Sequence, residues 1–150
     1  MQKRSIEFIA NLMKEVYEEI EPKTKVNYHA RLQKALVNSA VYFNLKGSPE
    51  YKFIYDEKKG KIDIVWWNKD NVLVTAIEID SSLRKKSMRK LLSSNALYKI
   101  QVYYGQEPES SIRKFRASYD SEKEVIFIHL PLDLMRSKEV ETIEQYSLFD

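Results

Sequence analysis

The chain has 150 residues, no cysteine, only three glycines and no long apolar run. Without cysteine it can form no disulfide and no thiolate metal site, and it has no cysteine nucleophile. With so few glycines, the sequence contains no glycine-rich phosphate loop. The N-terminal segment mixes charged with apolar side chains, unlike a signal peptide, and no window approaches a membrane span. We therefore expect a cytoplasmic protein with no membrane partner.

The composition is that of a globular protein with one hydrophobic core. Hydrophobic residues make up 43% and charged residues 31% of the chain, which is enough apolar material to offset the entropy lost on folding. The length suits a single domain, which we expect at residues 1–136, with its core at 27–105 and an acidic tail at 137–150. The net charge of +3 does not by itself indicate nucleic acid.

Apolar residues at spacings of three and four predict two N-terminal helices. The first covers residues 5–21, with Ser5 near its cap and Pro22 after its end. In the second, Asn27 is the expected cap and Gly47 ends the helix.

The remaining pattern predicts an α/β fold with a mixed sheet of four or five strands flanked by helices. The run at 72–80 is apolar almost throughout, as in a strand buried on both faces. A helix starting at Ser81 or Ser82 leads to the next strand, which we expect to be parallel to the strand at 72–80. The other predicted elements are a hairpin of strands 51–55 and 61–67 with a turn at 56–60, a helix ending near residue 96, a strand at 100–104, a helix at 111–117 and a strand at 124–130.

Three carboxylates are predicted to converge in the middle of this sheet. Side chains alternate along a strand, so Glu78 and Asp80 project from one face. Asp63 lies on the neighbouring hairpin strand and can point to the same side. Repulsion and burial make such a group costly, and a hard cation such as Mg²⁺ removes that cost. The pattern therefore predicts a metal site.

A cluster of basic residues lies on the predicted helix that directly follows the strand with Glu78 and Asp80. On this helix the cluster would lie beside the carboxylates, where it suits phosphate contacts and one catalytic lysine. A basic run alone is usually only a solvated helix face, but its position after the carboxylate-bearing strands favours a site. The basic residues are Arg84, Lys85, Lys86, Arg89 and Lys90.

The order helix, hairpin, strand, helix, strand, with Asp63 and the run Glu78-Ile79-Asp80, resembles the PD-(D/E)XK nuclease superfamily. The resemblance covers roughly residues 27–105 and implies a restriction-endonuclease-like core. Asp63 matches the metal-binding aspartate of the second strand, and Glu78 matches the acid of the third-strand motif. The resemblance also implies that the Ile79 carbonyl is a metal ligand and that Mg²⁺ or Mn²⁺ is the cofactor.

The sequence departs from the family pattern at two positions. Ile62 precedes Asp63 where proline is common, and Asp80 stands where the motif lysine is expected. Asp80 would then add a metal ligand or hold a water, and a lysine from another element would replace the missing one. The candidate lysines are Lys86, which we prefer, and Lys85, Lys90 and Lys61.

Other residues that often carry chemistry give weaker signals. His29 and His129 are far apart in sequence, and each is interpreted as a packed or surface histidine rather than a metal ligand. Trp66 and Trp67 could stack on bases, but packing in the core is the favoured interpretation for both.

The C-terminal run from Gln145 to Phe149 resembles the short peptide by which bacterial replication proteins bind the sliding clamp. An acidic tether ending in Leu148 and Phe149 suits insertion of two apolar side chains into a pocket, with Gln145 as a polar anchor. The alternative is that Leu148 and Phe149 pack on this protein's own core.

Together these features predict a metal-dependent DNA nuclease. Asp63, Glu78 and Asp80 would bind the metal, Lys86 would steady the attacking water or the scissile phosphate, and the other basic helix residues would hold the DNA backbone. A homodimer is left open. The alternative is a catalytically silent nucleic-acid-binding or adaptor module on the same fold, in which Asp80 marks the lost activity.

Overall fold

The computed structural model describes residues 2–133 and confirms the predicted α/β class, with one five-stranded mixed sheet and four α-helices. The predicted acidic tail lies outside the described residues. Within residues 2–133, none of the helices has the length and hydropathy that crossing a bilayer requires. The elements are α1 (Gln2–Glu19), α2 (Lys25–Ser39), a 3₁₀ turn (Ala40–Phe43), β1 (Lys46–Tyr55), β2 (Lys58–Trp67), β3 (Leu73–Asp80), α3 (Lys85–Ser93), β4 (Tyr98–Tyr103), α4 (Glu109–Tyr119) and β5 (Val125–His129).

The strands lie in the sheet in the same order as in the chain. β2 is antiparallel to both of its neighbours, β1 and β3, whereas β3, β4 and β5 are parallel to one another. All eight residues of the central strand β3 are buried, as its apolar run predicted, because helices cover the sheet on both faces.

Two apolar clusters hold these helices on the sheet. Burial of each large aliphatic side chain stabilises the fold by about 1.5–3 kcal/mol, so the clusters fix where each helix lies. The cluster under α1 and α2 includes Ile9, Met13, Leu32, Leu36, Ile64, Trp66, Ile77 and Ile79. The cluster under α3 and α4 includes Ile62, Val65, Ala76, Met88, Leu91, Phe115 and Val125.

The predicted ends of α1 and α2 need correction. Ser5 lies inside α1, which starts at Gln2. Thr24, not Asn27, caps α2: its backbone is extended, and its hydroxyl accepts a hydrogen bond of 3.1 Å from the Asn27 amide. Gly47 does not end this helix but lies in β1, where a Cβ would collide with the Val37 carbonyl of α2. Glycine there lets the strand approach the helix closely.

The turn of the β1–β2 hairpin is also shorter than predicted. It consists of Asp56 and Glu57, with φ angles of 47° and 61°. Two positive φ angles give the tight loop whose twist matches that of the paired strands. β2 therefore begins at Lys58, which adds three residues to the hairpin before Lys61.

The helix after β3 begins later than predicted. α3 starts at Lys85, and its cap residue Arg84 makes no side-chain capping bond. Ser81 and Ser82 form a bend between strand and helix instead of capping it.

Candidate functional site

The sheet is interrupted on both sides of Asp63. The antiparallel register between β2 and β3 runs as far as the pair Ile64–Ile77 and stops before Asp63 and Glu78. On the other side, Glu50 of β1 lies opposite Asp63 in the register but has a φ of 50° and is not paired. Such a φ is rare for a residue other than glycine. Asp63 therefore lies at a local opening of the sheet.

Side chains supply the hydrogen bonds that the strands lose at this opening. The Ile79 amide donates to Asp63 Oδ2 at 2.8 Å, and the Asp63 amide donates to Glu78 Oε2 at 3.2 Å. From α2, Gln33 donates to the Asp63 carbonyl at 2.9 Å. Because buried backbone groups need partners, these bonds fix the position of both carboxyl groups.

The face to which β2 side chains point changes at Asp63. Ile62 packs in the cluster under α3, whereas Ile64 packs in the cluster under α2. On a regular strand, two residues at positions i and i+2, such as Ile62 and Ile64, would share a face. Asp63 therefore reaches sideways to β3, and only Glu78 and Asp80 share a face, as their contacts with α3 indicate. The expectation that all three carboxylates come from one face holds for two of them.

Asp80 is bonded to neighbouring side chains through both carboxyl oxygens. Oδ1 accepts a hydrogen bond from the Ser87 hydroxyl of α3 at 2.9 Å, and Oδ2 accepts one from the Gln101 amide of β4 at 3.1 Å. Burial raises the pKa of Asp80. These bonds direct Asp80 to α3 and β4, so it holds the start of α3 rather than adding to the Asp63–Glu78 pair.

Glu78 is the most perturbed carboxyl group of the site. It is 1% exposed, and burial together with the neighbouring Asp63 charge raises its pKa to about 9. The Lys90 ammonium donates to Glu78 Oε1, an oxygen that otherwise accepts no hydrogen bond among residues 2–133. At neutral pH Glu78 therefore keeps its proton, which it shares with Asp63.

Asp63 has the opposite electrostatic character. Burial alone would raise its pKa, but hydrogen bonds with His29, Glu78 and the Ile79 amide outweigh burial and lower it. His29 Nε2 of α2 lies 3.6 Å from Asp63 Oδ2. The hydrogen bond to Asp63 raises the pKa of His29 despite partial burial of the ring. In the carboxyl pair, an ionised Asp63 therefore lies beside a neutral Glu78.

His29 is the site residue that the sequence interpretation missed. It was interpreted as a packed or surface histidine, but it contacts Asp63. One signal was available: His29 and Gln33 are four residues apart, so on a helix they share a face. Both contact Asp63, and a polar pair at this spacing marks where α2 covers the opening.

The basic helix contributes a different lysine from the one preferred in the sequence. Lys90, not Lys86, reaches the carboxyl pair, and its ammonium also donates to the Lys61 carbonyl at 2.7 Å. Lys86 is exposed and lies along the neighbouring groove. Two other basic residues of α3 have separate contacts: Arg89 pairs with Asp56 at 2.7 Å, and Lys85 lies 5.5 Å from the centre of the Tyr119 ring.

A groove of about 820 Å³ opens onto Asp63. It runs along the β1–β2 hairpin on one side and α3 on the other. Two acidic residues, Glu50 and Asp63, and five lysines line the groove, so positive charge predominates beside the carboxyl pair. The five lysines are Lys52, Lys59, Lys61, Lys86 and Lys90.

The oxygen donors around the opening fit a hard cation. Among residues 2–133 no group of three or more His, Cys, Asp or Glu side chains is arranged to hold a metal. Two carboxylates with one carbonyl are nevertheless sufficient for Mg²⁺, which usually keeps several waters. The Asp80 carbonyl accepts from the Tyr104 amide on the β4 side, so the Ile79 carbonyl points the other way, to the opening.

Comparison of the chain with protein-family models, with curated proteins and with solved structures finds no match. The predicted clamp-binding residues Gln145, Leu148 and Phe149 lie outside the described residues.

Proposed function

We propose that this protein is a metal-dependent DNA nuclease that hydrolyses phosphodiester bonds. The observation that carries the proposal is the Asp63–Glu78 carboxyl pair, placed at an opening of the sheet and joined to Lys90 at the base of a lysine-lined groove. Perturbed carboxyl groups in a cleft are typical of functional sites. The proposal agrees with the resemblance to the PD-(D/E)XK superfamily.

In this proposal Asp63, Glu78 and the Ile79 carbonyl hold Mg²⁺ or Mn²⁺. When bound, the ion lowers the pKa of a coordinated water and stabilises charge on the phosphate oxygens. His29 keeps Asp63 ionised in the absence of metal. Glu78 gives up its proton, and Lys90 remains beside it to compensate the charge of the carboxylate.

Lys90 takes the role of the motif lysine that Asp80 replaces. Its ammonium already lies against Glu78, from where it holds the attacking water or the scissile phosphate. Asp80 supports this arrangement through its bond to Ser87 in the same helix. Lys86 is one helical turn away and contacts the DNA backbone in the groove.

The test is cleavage of duplex, single-stranded and branched DNA with Mg²⁺ or Mn²⁺. We expect the wild type to cleave, and Asp63→Asn, Glu78→Gln and Lys90→Ala each to lower the rate by about 100-fold or more. Lys85→Ala is the matched control, because Lys85 lies on the same helix against Tyr119. A wild type that cleaves none of these substrates, or an active Asp63→Asn variant, would contradict the proposal.

The second candidate is a nucleic-acid-binding module without activity. It is favoured by one observation: Asp80 occupies the motif-lysine position and has both oxygens bonded to protein side chains. Such a module would bind DNA but show no Mn²⁺ binding that depends on Asp63. Calorimetric titration of wild type and Asp63→Asn with Mn²⁺ separates the two candidates.

Recruitment to a sliding clamp through Gln145, Leu148 and Phe149, and pairing of two protomers, are further parts of the proposal. Deletion of residues 145–150 should abolish clamp binding and leave cleavage of free DNA unchanged. Loss of cleavage with the deletion would contradict a purely recruiting role of the tail.

A further inference from the structure

We propose that the β1–β2 hairpin carries a lysine track, formed by Lys52, Lys59 and Lys61, that binds the sugar-phosphate backbone of a nucleic acid without reading its sequence. The track covers about four nucleotides on one side of the Asp63–Glu78 pair. The inference rests on the proposed function, because it assumes that the bond to be cleaved lies at this pair.

The register of the hairpin places the three lysines together. Lys52 and Lys61 are direct partners across β1 and β2, and Lys59 is two residues before Lys61. Directly opposed residues and residues two apart on a strand share a face. Asp63 is two residues beyond Lys61 along β2 and lines the same groove, so the track leads to the carboxyl pair.

Among the described residues, these lysines also lack ion-pair partners. Within residues 2–133, the ion pairs of lysine and arginine involve Arg89, Lys90 and Lys99, but none of the three track lysines. All three track lysines are exposed. Clustered exposed cations repel one another, and this repulsion is relieved when they bind a chain of phosphates. The main backbone contacts therefore lie on the hairpin, rather than only on α3 as the sequence predicted.

The groove has the chemistry for reading charge and not for reading bases. Its lining, among the described residues, contains no Asn or Gln, the side chains that bind adenine bidentately, and no Arg, which with Lys makes the commonest contact to guanine. Lysine acts on a phosphate as a flexible point charge. Such contacts position a nucleic acid but carry no sequence information.

The length of the track sets the expected footprint. From Lys59 to Asp63 the strand spans about 13 Å, at about 3.3 Å for each residue. A duplex advances about 3.4 Å for each nucleotide of one strand, so this distance corresponds to about four nucleotides. Oligonucleotides that are too short to span it should bind weakly.

The test uses the full chain and fluorescein-labelled duplex DNA, single-stranded DNA and RNA of equal length, in EDTA so that cleavage cannot occur. Fluorescence anisotropy gives affinity as a function of salt. We expect the double variant Lys52→Ala/Lys61→Ala to bind about tenfold more weakly at low salt and to lower the slope of log K against log salt by about two. Affinity for each type of nucleic acid should change less than threefold when its sequence is shuffled.

The matched control is Lys46→Ala/Lys69→Ala, which removes two exposed lysines near the other end of the same hairpin, outside the groove. It should bind as the wild type does. Equal losses in both double variants, no loss in either, or a strong preference for one sequence would overturn the track. Shorter competitors should lose affinity steeply below about four nucleotides for the wild type and less steeply for Lys52→Ala/Lys61→Ala.

Failure of the track and failure of the nuclease proposal give different results. If the wild type binds through Lys52 and Lys61 but cleaves nothing with Mg²⁺ or Mn²⁺, the track stands and the nuclease proposal fails. If the wild type and Lys52→Ala/Lys61→Ala cleave limiting DNA equally fast, the track is overturned and the nuclease proposal stands.

Discussion

β2 and β3 form two different structures along one strand pair. From Trp66 to Ile64 the antiparallel register is regular, and it shifts only between Trp66 and Trp67. The side chains of residues 64–66 are buried in the two apolar clusters. At Asp63 the register ends, and carboxyl oxygens accept bonds from backbone amides. The regular end and the open end meet at two consecutive residues of β2, Ile64 and Asp63.

The difference shows what the sheet gives up at the candidate site. The regular end stabilises the fold through apolar burial and neutral hydrogen bonds. The open end holds an ionised Asp63 beside a neutral Glu78, and the buried charge of Lys90 next to Glu78 adds little net stability. We therefore expect mutations at the two ends to differ in size and in pH dependence.

The largest effect on stability is expected from Trp66→Ala at the regular end. Trp66 is 2% exposed, and its indole N–H donates to the Leu36 carbonyl at 3.0 Å. Its ring stacks on the Phe43 ring, with 5.2 Å between the ring centres. Its loss should lower the free energy of unfolding by about 3–5 kcal/mol, measured by urea unfolding followed by circular dichroism. Tyr42→Ala, at an exposed position, is the control and should cost less than about 1 kcal/mol. A loss below about 1 kcal/mol for Trp66→Ala would show that the regular end is not the main source of stability.

A smaller effect, which depends on pH, is expected from Glu78→Gln at the open end. The pKa of Glu78 is about 9 in the folded protein and about 4.3 in an unfolded chain. Between these values the folded state holds a proton that the unfolded state has lost, so metal-free stability falls as pH rises through this window. At pH below about 4 this contribution to stability is fully present.

Glutamine does not titrate, so the variant should lose this slope. Between pH 5 and pH 8 in EDTA we expect the wild type to lose about 2–4 kcal/mol more than Glu78→Gln. Glu7→Gln, at an exposed position on α1, is the control. Parallel pH profiles for wild type and Glu78→Gln would show that Glu78 is ionised in the folded protein.

The smallest effect is expected from Gln33→Ala. It removes the 2.9 Å bond that satisfies the Asp63 carbonyl where β1 does not pair. The expected cost is about 1 kcal/mol, measured by urea unfolding, with a weaker Mn²⁺ affinity because Asp63 loses a positioning contact. Lys34→Ala, at the exposed neighbouring position, should change neither quantity. Unchanged stability and metal affinity in Gln33→Ala would mean that α2 does not support the opening.

Much of the fold could be predicted because its signals are local. The unbroken apolar run of β3 can be buried only in the middle of a covered sheet. The helix starts were predicted less well, since Thr24 and Asn27 are both good capping residues and a single 3.1 Å bond decides between them. The hairpin turn was predicted too long because Asp56 and Glu57 adopt positive φ angles, which a sequence usually signals with glycine and here does not.

The site could be predicted in part. Asp63 and Glu78 lie together as expected, because they directly follow the last pair of β2 and β3, Ile64–Ile77, along their strands. The choice among the lysines could not be made, since it depends on how α3 is rotated about its axis. That rotation is set by Met88 and Leu91, which are buried under the sheet, and it brings Lys90 rather than Lys86 to Glu78.

The sequence by itself determined the α/β class and the central position of β3, because these follow from side-chain periodicity, and it placed Asp63 near Glu78 because their strands are neighbours in the sheet. Only the tertiary structure decided that the sheet opens at Asp63, that His29 and Gln33 cover it, and that Lys90 reaches Glu78. These contacts join residues that are distant in the chain. Such contacts depend on how the helices pack on the sheet, and no local pattern encodes that packing.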